Sequence, residues 1–138
     1  MQAIATDMRV ADLMTIDPVA VSVDAFIEDA EELLRQHRIS GLPVVGADGR
    51  LVGVISLTDL LYLAVPSVQA LIRHHERGIR VGEVMSTPPV TIDSTATLRE
   101  AARLMHEDRL HRLVAVNAAG QPIGVISAMD FVALAAEG

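Results

Sequence analysis

The sequence predicts an α+β fold made of two copies of one β-α-β-β-α unit, packed sheet to sheet with pseudo-two-fold symmetry. Three observations carry that prediction. The chain repeats itself: sliding residues 9–64 onto 80–135 without a gap gives 20 identities in 56 positions, against about one match in fifteen from average composition. Inside each copy, helical apolar stripes alternate with short apolar strands in the same order. Finally, 51% of the 138 residues are apolar, enough for a core. One unit of this size buries too little surface alone, so the two are expected to share one core and form a single module.

The landmarks of the repeat are Met14 with Met85, Pro18 with Pro89, Ala30 with Ala101 and Arg38 with Arg109; farther on, Leu42 pairs with Leu113, Gly49 with Gly120, Gly53 with Gly124 and Asp59 with Asp130. Copy one spans 9–65 and copy two 80–136. Each begins with a short strand, at 20–23 and 91–94. Asp24 and Thr95 stand where a helix N-cap belongs. After them Ile27, Ala30, Leu33 and Leu34 recur at helical spacing, as do Leu98, Ala101, Ala102 and Met105. A short apolar strand follows, at 42–45 and 113–116. Ala47-Asp48-Gly49-Arg50 is a strong turn signal and Ala118-Ala119-Gly120-Gln121 a weaker one. The returning strands are 51–56 and 122–127, and second helices run from about 58 to 65 and 129 to 136. Between the copies, residues 66–79 read as a linker helix. Pro66 suits its first turn, Val68, Leu71 and Ile72 form a stripe, and Gly78 is its expected C-terminal cap.

Composition narrows the function. Phe26, Tyr62 and Phe131 are the only aromatic residues, so the core is aliphatic. No apolar run approaches the roughly 20 residues needed to span a bilayer, and residues 1–9 lack the apolar region of a signal peptide. A cytoplasmic protein, not a membrane protein, is expected. Absence of cysteine excludes disulfides, thiolate catalysis and cysteine zinc sites. The net charge of −7 disfavours nonspecific nucleic-acid binding, which needs a basic field. All 11 basic residues are arginine, whose planar fork suits phosphate.

The sharpest pattern is Gly53-Val54-Ile55-Ser56-Leu57-Thr58-Asp59 and its twin Gly124-Val125-Ile126-Ser127-Ala128-Met129-Asp130. Each is a Gly in an apolar strand, then Ser at the strand end, then Asp at a helix start. Two readings are open. An ionised carboxylate can accept from two neighbouring ribose hydroxyls, with Ser adding a donor or acceptor beside a helix N-terminus that favours anions. Alternatively, Ser at the N-cap and Asp in the first turn simply stabilise a helix. Spacing alone favours the cap, and duplication does not decide, because a duplicated cap looks the same.

The repeated unit, opening on Asp12-Leu13-Met14-Thr15 or Val84-Met85-Ser86 and closing on Gly-x-x-Ser-x-x-Asp, resembles the cystathionine β-synthase (CBS) domain pair, or Bateman module. Ile39-Ser40-Gly41-Leu42-Pro43-Val44-Val45 resembles the family's second-strand motif, and Leu110-His111-Arg112-Leu113-Val114-Ala115-Val116 is its counterpart. The resemblance covers residues 9–135. In that family two clefts between the paired units hold adenosine ligands. The resemblance therefore implies that Asp59 and Asp130 contact ribose, with Ser56, Thr58, Ser127 and Met129 nearby. It implies that Thr15, Ile16 and Pro18, and Ser86, Thr87 and Pro88, line adenine pockets together with Leu42 and Leu113. The pair His111-Arg112 resembles one that reaches phosphate. Copy one has Ser40-Gly41 there, and copy two has Val114 in place of Pro43, so the two sites differ. The implied ligands are AMP, ADP, ATP or S-adenosylmethionine, bound as regulators and not as required cofactors. The family also pairs modules into dimers, for which residues 60–65 with Leu71 and Ile72 are suitable.

The remaining motifs are weaker. His106, Asp108 and His111 lack the i, i+4 spacing that puts two histidines on one helix face, so no metal site is expected. His74 and His75 fit the end of the linker helix, and His37 a surface position beside Arg38. The methionines read as core filler, and Glu28, Asp29, Glu31 and Glu32 as a solvated helix face. No nucleophile motif or phosphate-binding Gly-rich loop is present. The expectation is a regulatory nucleotide sensor without catalysis, homodimeric in the family's manner and acting on a partner protein. The alternative is a ligand-independent dimerisation or interaction scaffold whose caps mimic a nucleotide site.

Overall fold

The computed structural model describes residues 8–16, 18–63 and 78–137. Residues 66–77, where the sequence predicts a linker helix with His74 and His75 and the stripe Val68, Leu71 and Ile72, lie outside them. Two compact units result, Met1–Pro18 with Val90–Gly138, and Val19–Pro89. The division does not follow the sequence repeat. The opening segment of copy one joins the body of copy two, and the opening segment of copy two joins the body of copy one.

The unit spanning Val19–Pro89 holds β2 (Val21–Ser22), α2 (Ile27–His37), β3 (Gly41–Val45), β4 (Leu51–Ser56), α3 (Leu57–Tyr62) and the short α4 (Val81–Val84). Its sheet runs β2-β3-β4, with β2 parallel to β3 and β3 antiparallel to β4. The other unit holds α1 (Val10–Leu13), β1 (Thr15–Ile16), β5 (Thr91–Asp93), α5 (Leu98–Glu107), β6 (Arg112–Val116), β7 (Pro122–Ser127) and α6 (Ala128–Glu137). Its sheet runs β1-β7-β6-β5. The registers are twins: Gly41 faces Ser56 as Arg112 faces Ser127, and both ladders carry a bulge, after Val44 and after Ala115.

The apolar stripes form the cores. In α2, Ala30 and Leu34 are buried against Val21, Leu42, Val44, Ile55 and Val81; in α5, Leu98, Ala101 and Met105 are buried against Val10, Ile92, Leu113, Ala115 and Ile126. Each large aliphatic side chain so enclosed contributes roughly 1.5–3 kcal/mol. Among the described residues these side chains form two clusters, one within each unit. Each cluster includes one residue of the exchanged segment, Val81 or Val10, and has Leu60 of α3 or Phe131 and Leu134 of α6 packed against it.

The exchanged segments are tied in by matching hydrogen bonds. Val10 N–H donates to Ala96 O (2.8 Å) and Leu98 N–H to Met8 O (3.0 Å); in the other unit, Val81 N–H donates to Ala25 O (2.8 Å) and Ile27 N–H to Ile79 O (3.0 Å). The Arg80 guanidinium lies 4.1 Å from the centre of the Phe26 ring and donates to Asp24 O at 2.7 Å.

Three local expectations are corrected. The N-caps are Phe26 and Thr97, two residues beyond Asp24 and Thr95. Asp24 and Thr95 instead sit in turns, where their N–H groups donate to Ser22 Oγ (3.1 Å) and Asp93 Oδ1 (2.8 Å). The second hairpin is as well specified as the first. Asp48 Oδ1 accepts from Arg50 N–H at 3.0 Å, whereas Asn117 Oδ1 accepts from both Ala119 and Gln121 N–H at 3.0 Å; Gly49 and Gly120 take φ near +80° in both turns. Finally, α3 begins at Leu57 and α6 at Ala128, one residue earlier than expected, directly from their strands.

Candidate functional site

The two Ser-x-x-Asp patterns fall at the junctions β4–α3 and β7–α6, where a strand end becomes a helix without an intervening loop. Both are closed capping boxes. Ser56 N–H donates to Asp59 Oδ2 at 2.9 Å while Asp59 N–H donates to Ser56 Oγ at 3.2 Å. At the second junction the corresponding distances are 2.7 and 3.3 Å for Ser127 and Asp130. In each, the Ser hydroxyl also donates to Oδ2 at 3.1 Å. Capping is thus realised at both, and it engages one carboxylate oxygen. Any ligand hydroxyl must use the other.

The segment exchange decides which expected residues meet. Thr15, Ile16 and Pro18 join the unit of His111, Arg112, Leu113, Ser127, Met129 and Asp130. Ser86, Thr87 and Pro88 join that of Ser40, Gly41, Leu42, Pro43, Ser56, Thr58 and Asp59. Thr15 pairs with Val125, beside the Ser127 end of β7; Ser86 bridges Val54 in the same way. Ser86 Oγ donates to Asp59 Oδ1 at 3.0 Å, and Thr87 Oγ1 to Val52 O at 3.1 Å. The Thr87-Pro88 peptide is cis.

The glycine of the pattern now has a physical reason. A Cβ at Gly124 would overlap Met14 Sδ, and one at Gly53 would come within 2.5 Å of Met85 Sδ and 2.9 Å of Ser86 O. The repeated methionines therefore lie on the repeated glycines across the exchange, and this close approach sets the opening segments against the junctions.

The remaining residues divide by exposure. Leu42 and Leu113 are fully buried in their own cores, so they can meet a ligand only through the main chain. Pro43 is buried as well, whereas Ser40 and His111 are exposed. Leu57 N–H donates to Ser40 O at 3.0 Å and Ala128 N–H to His111 O at 2.8 Å, which fixes these residues beside the junctions. Arg112 is half-buried, and desolvation holds its pKa below the ordinary arginine value; it nonetheless remains a cation at neutral pH. In the other unit its place is taken by Gly41. Ile16 and Met129 are strongly exposed, at 66% and 70%, where the other unit has Thr87 and Thr58. The relation that sequence reasoning missed is the Ser86–Asp59 bond. The only signal for it was a hydroxyl residue, Thr15 or Ser86, following each repeated Met.

Among the described residues, no group of three or more His, Asp or Glu side chains is placed to hold a metal ion, and no helix is long and apolar enough to cross a membrane. His37 and the acidic residues Glu28, Asp29, Glu31 and Glu32 are exposed, with Glu32 paired to Arg35.

Comparison with known proteins agrees with this architecture. The crystal structure of CBSX2 in complex with AMP matches with a TM-score of 0.82 and 34% identity, covering 94% of this chain and 97% of that one. The CBS-pair protein CBSX2 from Arabidopsis thaliana matches at 0.80 and 32%, covering 96% of each chain. Among curated proteins, inosine-5'-monophosphate dehydrogenase of Korarchaeum cryptofilum is 30% identical over 114 residues, which are 83% of this chain but 21% of that protein. The chain thus spans about a fifth of that enzyme's length. The CBS domain family matches twice, over residues 10–65 and 81–137, and the chain belongs to that family as a tandem pair of CBS domains.

Proposed function

We propose that this chain is a regulatory module that binds an adenine nucleotide of the AMP type and performs no chemistry of its own. The observation that carries the reading is the β7–α6 junction. There Arg112, a half-buried cation, stands in register opposite Ser127, three residues before a carboxylate whose second oxygen faces no donor among the described residues. A cation for phosphate at the start of β6 and a carboxylate for ribose hydroxyls in the first turn of α6 flank the same junction, and exposed Ile16 and Met129 offer apolar surface for the base. The likeness to CBSX2, whose structure holds AMP, supports the same ligand class. The Ser56 and Ser127 hydroxyls are tied into caps, which argues against nucleophilic catalysis. Binding would act by differential affinity for two arrangements of the module, read by a partner protein in the cytoplasm. In this reading the working repeats are residues 9–65 and 80–136, joined by 66–79.

The test is thermal unfolding with AMP, ADP, ATP, S-adenosylmethionine and GTP in turn. A ligand at 100 times its Kd stabilises by about 2.7 kcal/mol, a rise of several degrees for a chain this size. The rise should appear with an adenine compound and disappear in the Asp59→Asn/Asp130→Asn double variant. Asparagine keeps an oxygen to cap the helix while losing the charge. An undiminished rise in that variant overturns the site.

A second reading, a ligand-independent scaffold, is favoured by the exposed apolar side chains of α3 and α6. Leu61 is 70% exposed, Tyr62 64% and Val132 56%, and a second copy of the chain would cover them. Light scattering distinguishes the two contributions. A dimer whose stability is indifferent to every nucleotide supports the scaffold, and a monomer removes the homodimer from both readings.

A further inference from the structure

The two junctions share a sequence pattern but not a hydrogen-bonding state. At Asp59 both carboxylate oxygens are engaged, Oδ2 by Ser56 and Oδ1 by the Ser86 hydroxyl at 3.0 Å. At Asp130, Oδ2 is engaged by Ser127 in the same way, and among the described residues no donor reaches Oδ1. Thr15 occupies the repeat position of Ser86, and makes no such bond among the described residues. We propose that Ser86 is a specificity-determining latch, whose hydroxyl occupies the carboxylate oxygen that a ribose hydroxyl would need at Asp59. The Asp130 junction then takes a nucleotide first, and the Asp59 junction takes one only when Ser86 releases it. The proposal rests on the adenine-nucleotide reading given above.

The chemistry is a competition between like groups. A serine hydroxyl and a ribose hydroxyl are both neutral O–H donors to the same carboxylate, so the ligand gains nothing new there and must first break a charge-assisted bond. Loss of one such bond weakens affinity on the order of tenfold. The main chain that carries the competing hydroxyl is held in place: Ser86 N–H donates to Val54 O at 2.8 Å and Val54 N–H to Ser86 O at 3.1 Å, so Ser86 stays beside the junction while its side chain can turn away. Two further differences act in the same direction. The cation Arg112 has Gly41 as its counterpart, and exposed Ile16 and Met129 have Thr87 and Thr58. The two junctions therefore share the Ser-x-x-Asp pattern and differ in ligand preference.

The experiment isolates the Asp59 junction by Asp130→Asn and titrates AMP calorimetrically, with and without Ser86→Ala. Ser86 is exposed, so its truncation leaves both cores intact, and Ser86→Thr restores a hydroxyl as a control. The expected result is AMP binding on the order of tenfold tighter in Asp130→Asn/Ser86→Ala than in Asp130→Asn, with Asp130→Asn/Ser86→Thr behaving as Asp130→Asn. AMP binding that is unchanged or weaker after Ser86→Ala overturns the latch and makes Ser86 a bystander or a ligand contact, while wild-type binding keeps the nucleotide reading intact. No AMP binding by the wild-type chain overturns both together, and that outcome is recognisable because every variant is then silent.

Discussion

Gly124→Ala is the substitution on which the exchanged architecture stands or falls. The three atoms nearest a Cβ there all belong to the Met14 side chain, with Cγ at 2.8 Å and Cε at 3.1 Å, and Met14 packs on the core of that unit. Overpacking of this kind costs about 1–3 kcal/mol, and the stiffer unfolded chain returns only about 0.4–1 kcal/mol. At about 4 °C per kcal/mol for a chain between the small and medium size classes, the melting temperature should fall by several degrees. Met14→Ala opens the space, so the Met14→Ala/Gly124→Ala pair should cost less than the sum of its parts by about 0.5–3 kcal/mol. The same cycle on Met85 and Gly53 should couple less completely, because Ser86 O also lies 2.9 Å from the Gly53 Cβ position and is main chain. Urea unfolding followed by circular dichroism measures all of these. Were each copy folded upon itself, the coupled pairs would instead be Met14 with Gly53 and Met85 with Gly124. Coupling in those pairs, or none in the exchanged ones, refutes the architecture.

Leu113→Ala empties a fully buried position on β6 and should destabilise the chain by about 2–5 kcal/mol; a loss below 1 kcal/mol in denaturant unfolding would place Leu113 outside the core. Thr97→Ala removes the acceptor of the Glu100 N–H bond, 3.0 Å long, and should cost about 1 kcal/mol. Asp24→Ala, which removes no cap, should cost less, and equal losses would return the N-cap to the 24/95 position. The Asp93 carboxyl lies below its ordinary value of 3.8, first because Thr95 N–H and then because the Thr95 hydroxyl donates to it. Since the folded value is the depressed one, its contribution is present above about 3.8 and is lost as pH falls through the lower folded value. Thr95→Val keeps the N–H and removes the hydroxyl, so the Asp93 midpoint seen by NMR should move partway back up. An unmoved midpoint contradicts the assignment.

Much of this fold was legible because its signals are local. The strands 51–56 and 122–127 follow from apolar runs bounded by turn residues, and the stripe through Ala30 and Leu34 follows from helical spacing. The caps were misplaced by two residues because Asp24 and Thr95 are good cap types serving a preceding turn. The signal that fixes the start of α5 is Thr97 with Glu100, a Thr-x-x-Glu box, and for α2 it is Asp29 reaching back to Phe26 N–H at 3.0 Å. Asn117 was overlooked because it lies one residue before the turn read at 118–121. The exchange of opening segments was not legible at all. In an ungapped repeat, Met14 fits Gly53 and Gly124 equally well on paper, and only three-dimensional closure selects between them. For the site, residue types were legible and groupings were not. Which hydroxyl faces which carboxylate depends on that same selection.

The ambiguity of the Ser-x-x-Asp pattern has a physical root. Each helix described has a carboxylate at its third position bonded back to the N–H of the cap residue: Asp12 to Arg9, Asp29 to Phe26, Asp59 to Ser56, Glu83 to Arg80, Glu100 to Thr97 and Asp130 to Ser127. Part of the acidity of the chain is thus consumed in starting helices, so an acid at that spacing is by itself no sign of a ligand. What distinguishes two acids of equal spacing is the fate of the second oxygen. Capping engages one oxygen and leaves the other its lone pairs, so a single residue can start a helix and still receive a hydroxyl without either role undoing the other. At Asp59 the second oxygen is given to Ser86 and at Asp130 it is not. At the second oxygen, the difference between the two junctions therefore comes not from the Ser-x-x-Asp spacing but from the exchanged segment laid against it.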